Sequence, residues 1–135
     1  MSPVQEIKDL SPKEVVFRDA SRTKPVVITS RKLAAKYFGK QDLTKLLKSA
    51  DFKKQVVFVF AWRGSGQDKM TYATTKSLPI QIEFTIHPGR TRDLRPHVQV
   101  YLLKNELEWK GKPVRPKDPK LLESDETGAL GVIDL

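Results

Sequence analysis

Arg90, Arg92 and Arg95 place three guanidiniums within six positions, on a segment, His87–Pro96 (HPGRTRDLRP), framed by Pro88 and Pro96. A guanidinium is a planar fork of donors that matches the paired oxygens of phosphate, sulfate or carboxylate. Three of them on a proline-stiffened loop make a candidate site for an anionic or protein partner. The same side chains have a structural use, because Arg92 and Arg95 could pair with Asp93 and Asp68 and hold the loop in place. A second polar cluster, Arg63, Gln67, Asp68 and Lys69, surrounds Gly64-Ser65-Gly66 at the tip of an expected strand pair, a place where binding residues tend to sit. The candidate contact residues are therefore Arg63, Gln67, Lys69, Arg90, Arg92 and Arg95. They form one basic patch if both turns lie at the same end of the sheet.

The catalytic alternatives are thin. Gly64-Ser65-Gly66 lacks the G-x-x-x-x-G-K-[ST] spacing of a phosphate loop, and a strand rather than a helix is expected after it. A nucleophile elbow needs G-x-S-x-G, and residue 63 is Arg. His87 and His97 flank the arginine loop, and a hairpin there could bring them together. Zinc needs a further ligand, for which Asp93 is the nearby candidate. A hydrolase or metal site around His87, His97 and Asp93 is thus the third of three readings. With no cysteine, no H-E-x-x-H and no defensible carboxylate pair, the expectation is a protein that is not an enzyme and has no metal or cofactor.

Charge supplies the second reading. Lys and Arg number 25 against 16 Asp and Glu, a net +9, and residues 121–135 carry −4 of the balance through Glu123, Asp125, Glu126 and Asp134, leaving +13 elsewhere. Such an excess suits nucleic acid or another polyanion, or an acidic protein, and it also serves solubility. Single-strand recognition needs rings on which bases stack, and no Phe, Tyr or Trp lies between His87 and His97.

The elements that must carry these loops follow from periodicity. Val56–Trp62 is apolar throughout and rich in Val and Phe, the mark of an interior strand covered on both faces. Gly64 and Gly66 then permit the backbone angles of a tight hairpin reversal, and Met70–Thr75 resumes as a strand. Ile80, Ile82, Phe84 and Ile86 alternate with Gln81, Glu83 and Thr85, which predicts an antiparallel strand with one wet face. His97–Lys104 reads as another strand, and Leu107–Trp109 as a last piece after a turn at Lys104–Glu106. Upstream, Glu14–Asp19 and Val26–Thr29 read as short strands.

Ser30 is a good N-cap for a helix that buries Leu33, Ala34, Tyr37 and Phe38. Gly39 is expected as its left-handed C-terminal cap, and Asp42 as the N-cap of a second helix with Leu43, Leu46, Leu47 and Ala50 in one stripe. The fold class is α+β: a mostly antiparallel curved sheet of five to seven strands with two short helices packed on one side. A partly closed β-barrel is the alternative.

The length of 135 residues fits one domain. Residues 1–12 read as a loose or edge-packed lead-in, 13–110 as the globular unit, and 111–135 as a Pro/Lys-rich then acidic tail, partly disordered. No run approaches the ~20 apolar residues of a membrane span. The first residues have no apolar signal core, although a signal could have been trimmed before this segment.

The succession VVITSRKLAAKYFGK, ADFKKQVVFVFAWRGSG and IQIEFTIHPGRTRDLRPHVQVYLL resembles the C-terminal domain of protease-complex accessory subunits, over about Val26 to Leu103. That domain belongs to bacterial secreted or lipoprotein-anchored proteins. The similarity lies in a short strand ending in Ser, a helix, an Asp-Phe pair, a Val-rich strand, a Gly-rich turn and a Pro-linked final strand. This chain departs from the pattern at Gly64-Ser65-Gly66-Gln67, where paired glycines and an aromatic are expected, and in its arginine loop. The resemblance implies a non-enzymatic cell-envelope domain that binds other proteins, in the periplasm or secreted. A monomer is expected, with a protein or polyanion as partner.

Overall fold

Every residue from Val56 to Trp62 is buried, and the strand they form, β3 (Gln55–Gly64), lies inside a four-stranded sheet. The computed structural model describes residues 3–116. Along the chain, β1 (Val4–Ile7), α1 (Val16–Asp19), β2 (Val26–Ile28), α2 (Arg31–Tyr37) and α3 (Lys40–Ser49) precede β3. After it come β4 (Lys69–Thr74), β5 (Gln81–His87), β6 (Arg95–Lys104), β7 (Glu108–Trp109) and β8 (Lys112–Pro113). The first sheet has the order β1-β6-β3-β2 and is antiparallel throughout. The second, β4-β5-β7-β8, has one parallel pairing, β5 with β7.

The class is α+β, and the strands divide between two sheets with no closed barrel among the described residues. Alternation along β3 explains the layering. Val57, Val59 and Ala61 meet Val16, Ala34, Phe38 and Leu46 from the helical layer, whereas Val56, Phe58, Phe60 and Trp62 meet Met70, Ile82 and Leu107 from the second sheet. A strand covered on both faces has no use for polar residues, hence the unbroken apolar run. On the second-sheet side, Phe60 lies 4.8 Å from Phe84, and Phe58 meets Trp109 edge-on at 5.3 Å. Tyr101 completes this aromatic cluster at 4.9 Å from Phe84, and burial pushes its hydroxyl pKa up.

The helices depart from expectation at their ends. Ser30 does cap α2, its Oγ accepting from the Leu33 N–H at 3.1 Å. Gly39 is no left-handed cap: its φ of −71° is extended, and it serves as the N-cap of α3, which places Asp42 inside the first turn. Glu14–Asp19, expected as a strand, is a turn and the short helix α1. The carbonyls of Lys13, Glu14 and Val15 accept from the N–H groups three residues on, and Val16 is buried beneath the first sheet. Tertiary burial there outweighs the β-preference of Val and Phe.

The lead-in is edge-packed, because β1 pairs with β6 in the register Val4↔Leu103. At the other end, residues 112–114 belong to the fold. β8 joins the second sheet, Val114 is buried, and the Val114 N–H donates to the Leu107 carbonyl at 3.0 Å. The acidic segment beyond lies outside the described residues.

Candidate functional site

The link from β3 to β4 is a crossing between sheets, not a hairpin. β3 pairs with β6 and β2, whereas β4 pairs with β5. The arginine loop, residues 88–94, crosses back from β5 to β6. Both crossings lie at the Gly64 end of β3, where Gly64 stands opposite Arg95 in the ladder. They are hydrogen-bonded to each other.

Ser65 is the hub. Its Oγ accepts from the backbone N–H of Gln67 at 3.1 Å and of Thr91 at 3.2 Å, and it shares a short hydroxyl pair with Thr91 Oγ1. Its carbonyl accepts from the Asp68 N–H at 2.9 Å and lies 2.7 Å from His97 Nε2. A carbonyl only accepts, so Nε2 carries the hydrogen, which fixes the ring's tautomer when neutral. The same ring stacks on Trp62, its partner across the ladder, with centroids 5.0 Å apart.

Two carboxylates complete the lock. Asp68 is buried and uses both oxygens, Oδ1 accepting from the Gly89 N–H at 2.7 Å and Oδ2 from the Trp62 indole at 3.1 Å. The Gly89 amide foremost, and the indole with it, hold the carboxyl below its ordinary range despite burial. Asp93 accepts from the Gly66 N–H at 3.1 Å and from Arg95 Nε at 2.9 Å. The Thr91 hydroxyl, the Gly66 amide and the Arg95 guanidinium together hold its carboxyl far below the usual range.

The glycines serve close approach. None of Gly64, Gly66 and Gly89 takes a left-handed backbone. A Cβ on Gly66 would meet Asp93 Oδ2 at 2.7 Å, and one on Gly89 would collide with Ser65 and Gln67. The expected reversal by permissive backbone angles is thus replaced by two loops pressed together with no side chain between them.

The candidate residues separate into three groups. Arg63 turns away from the loops, pairing with Glu14 and lying 4.3 Å over the Phe17 ring. Gln67 and Arg95 are spent on the lock, Gln67 Oε1 accepting from the Arg90 N–H at 3.3 Å. Arg90, Arg92 and Lys69 remain, exposed and with no side-chain partner among the described residues. Of the two pairings considered for the arginines, Arg95 with Asp93 is present, and Asp68 takes Trp62 and Gly89 instead. His87 and His97 are on different sheets. His87 Nε2 lies 3.0 Å from Thr71 Oγ1, so the hairpin that would have joined the two rings does not exist. Among the described residues no three His, Asp or Glu side chains converge as a metal set.

Ser65, Thr91 and Gly89 are the positioning residues that sequence reasoning passed over. Leu94 is an exposed apolar residue it also passed over, 75% accessible between Arg92 and Arg95. A leucine inside a run of charge was the available signal. A depression of about 430 Å³, lined by Gln67, Thr91, Asp93, Arg95 and His97 among others, lies beside it.

Fold and site together define an α+β domain, two packed sheets backed by helices, with a polar surface of hydrogen-bonded loops at one end. No family model, curated protein or solved structure matches the chain.

Proposed function

We propose that this is a non-catalytic binding domain of an exported bacterial protein, and that its joined crossover loops contact a protein partner with an acidic surface around an apolar pocket. The observation that carries this is Leu94, exposed between Arg92 and Arg95 on a loop immobilised by Ser65, Asp68 and Asp93. An exposed apolar side chain near the unspent guanidiniums of Arg90 and Arg92 is the composition of a protein contact centre, where Arg is enriched and charge steers the encounter. Fixing the loop beforehand lowers the ordering cost of association. The polar groups of the site support the same reading, since they bind one another rather than lining a reaction centre. The exported setting rests on the resemblance to protease-complex accessory domains.

The test uses the full chain and an Arg90→Ala/Arg92→Ala/Leu94→Ala variant, both immobilised, for capture from bacterial envelope extract. Proteins held by the wild type and lost with the variant are expected, with capture falling as salt rises. Identical capture by both removes the loop from the contact surface. Binding of heparin, DNA or RNA near micromolar concentration at low salt would replace this proposal with the polyanion reading, whose affinity falls steeply with salt.

A further inference from the structure

Among the described residues, β4 (Lys69–Thr74) pairs with β5 alone, which leaves it an edge strand with one free side. The ladder decides which of its backbone groups face outward. The Thr75 N–H donates to the Gln81 carbonyl at 3.0 Å, in register with the β4–β5 pairs. On the far side of β5, the Ile80 carbonyl accepts from the Glu108 N–H at 2.9 Å. Odd-numbered residues of β5 therefore face β4, and antiparallel strands bond through alternate residues. Thr71 and Ala73 spend their backbone groups on β5. The N–H and C=O groups of Met70, Tyr72 and Thr74 point to the open edge, where no described residue bonds to them.

The other edges of the two sheets are blunted by short length, proline or charge, the devices that suppress pairing between molecules. β1 has four residues, follows Pro3 and contains Glu6. β2 has three residues behind Pro25, and β8 is the dipeptide Lys112–Pro113. β4 has six residues, no proline, and its one charge at the first position. Thr71, Tyr72, Ala73 and Thr74 are all exposed. Tyr72 stays 39% accessible although its ring meets the buried Tyr101 edge-on at 5.4 Å.

We infer that β4 pairs antiparallel with β4 of a second copy of this chain, about a two-fold axis at Tyr72, so that one continuous sheet runs across a homodimer. Outward-facing residues can bond only to outward-facing residues, and the register centred on Tyr72 is the one that uses all three of Met70, Tyr72 and Thr74. It supplies roughly six hydrogen bonds between the copies. The two Tyr72 rings meet across the axis, Thr71 faces Ala73 on the wet side, and Lys69 falls opposite Thr75. Aromatic pairs across strands stabilise a sheet and opposed like charges destabilise it; this register has the first and lacks the second. No charge between Met70 and Thr75 selects a foreign strand, whereas the symmetric register matches the strand to itself. This dimer replaces the monomer expected from the sequence. It is independent of the arginine loop, and it sends the two crossover-loop surfaces out at opposite ends of the paired strands, about 20 Å apart at Lys69. The net charge of +9 opposes the approach of two copies, so association should tighten as salt screens it, the reverse of capture by the loop.

Sedimentation of the full chain should show a monomer–dimer equilibrium that moves toward dimer as salt rises. Thr71→Lys/Ala73→Lys sets lysines opposite one another twice and should leave only monomer, as should Thr71→Glu/Ala73→Glu. Both positions are exposed on the wet face, so the melting of each monomer should stay close to that of the wild type. Mixing the two variants should restore a dimer, because each lysine then faces a glutamate. The chain has no cysteine, so a single thiol reads the register. Oxidation should crosslink Tyr72→Cys, whose thiol faces its own copy, and leave Thr74→Cys uncrosslinked. A wild type that remains monomeric at millimolar concentration overturns the inference, as does a dimer that the paired lysines leave intact. Equal crosslinking at both positions overturns the register. A monomer whose Tyr72→Cys thiol crosslinks to a protein of envelope extract overturns the second copy and assigns the edge to a foreign strand.

Discussion

The indole N–H of Trp62 donates to Asp68 Oδ2 at 3.1 Å, tying the last buried residue of the central strand to the turn that leaves it. The other oxygen of the same carboxylate takes the Gly89 amide from the returning loop. One side chain thus joins the strand end, the outgoing crossover and the incoming one.

Trp62→Phe keeps most of the ring and removes the donor, leaving one buried carboxylate oxygen unsatisfied, a cost greater than that of losing a hydrogen bond in water. A lower melting temperature is expected, with amide shifts at Gly89 and Thr91 rather than in the helical layer. Two-dimensional amide spectra check it, and undisturbed loop resonances would show that the indole does not hold the loops.

Gly89→Ala drives a methyl into Ser65 and Gln67, an overpacking expected to cost about 1–3 kcal/mol. Gly39→Ala meets open space and alters only an N-cap, so a loss under about 1 kcal/mol is expected. Urea midpoints of the two variants separate close approach from general glycine effects. Equal losses would contradict the packed-loop account.

Acid should loosen the loops. Asp68 and Asp93 have carboxyls lowered from an ordinary value near 3.8. Their stabilisation is fully present above that value and is lost as pH falls below it toward the depressed folded values. Asp93→Asn should therefore be less stable than wild type at neutral pH and lose less on acidification. Denaturant midpoints measured from about pH 6 down to about pH 3 test this; parallel curves would remove Asp93 from the linkage.

Alkali acts on the other face. The Tyr37 hydroxyl donates to Asp19 Oδ2 at 2.8 Å, and burial, then that carboxylate, pushes its pKa from 10.0 to about 12. The neutral hydroxyl's contribution is complete below the ordinary value and disappears as pH rises from there through about 12. Tyr37→Phe should flatten the alkaline slope of stability, with Tyr101 contributing equally to both proteins. An unchanged slope would mean the hydroxyl is not coupled to folding.

Phe60→Ala opens a void among Phe58, Phe84, Tyr101 and Trp109 and should cost about 3–5 kcal/mol. Leu46→Ala, in the helical layer, should cost about 2–5 kcal/mol. Denaturant unfolding measures both. A small effect at Phe60 would mean that the two sheets do not share a packed interior.

The parts of this architecture that could be read from the sequence are those set by neighbours along the chain. The apolar run of β3, the alternation of Ile82, Phe84 and Ile86, and the Ser30 cap are local patterns with local causes. Glu14–Asp19 misled because Val16 is buried, and Val15 and Phe17 partly so, by partners far along the chain, Arg63 over Phe17 among them, and not by strand pairing. Gly39 misled because a glycine between two helices can close one or open the next, and residue type alone does not decide. The site was half visible. Its charged residues were evident, but the bonds Ser65–Thr91, Gly66–Asp93 and Asp68–Gly89 join positions 26, 27 and 21 residues apart. Whether two turns meet depends on which sheet each strand enters, and no short pattern records that.

Placing β6 between β1 and β3 has a consequence for biosynthesis. Val4 waits for Leu103 and Val56 for the same residue, so neither the β1 edge nor the middle of the first sheet can close while the nascent chain is shorter than that. Long-range closure of this kind is slow and leaves apolar strands uncovered in the interim. The helices and β2–β3 emerge first with one flank open, and chains released before β6 should be substrates for chaperones and proteases rather than smaller folded domains.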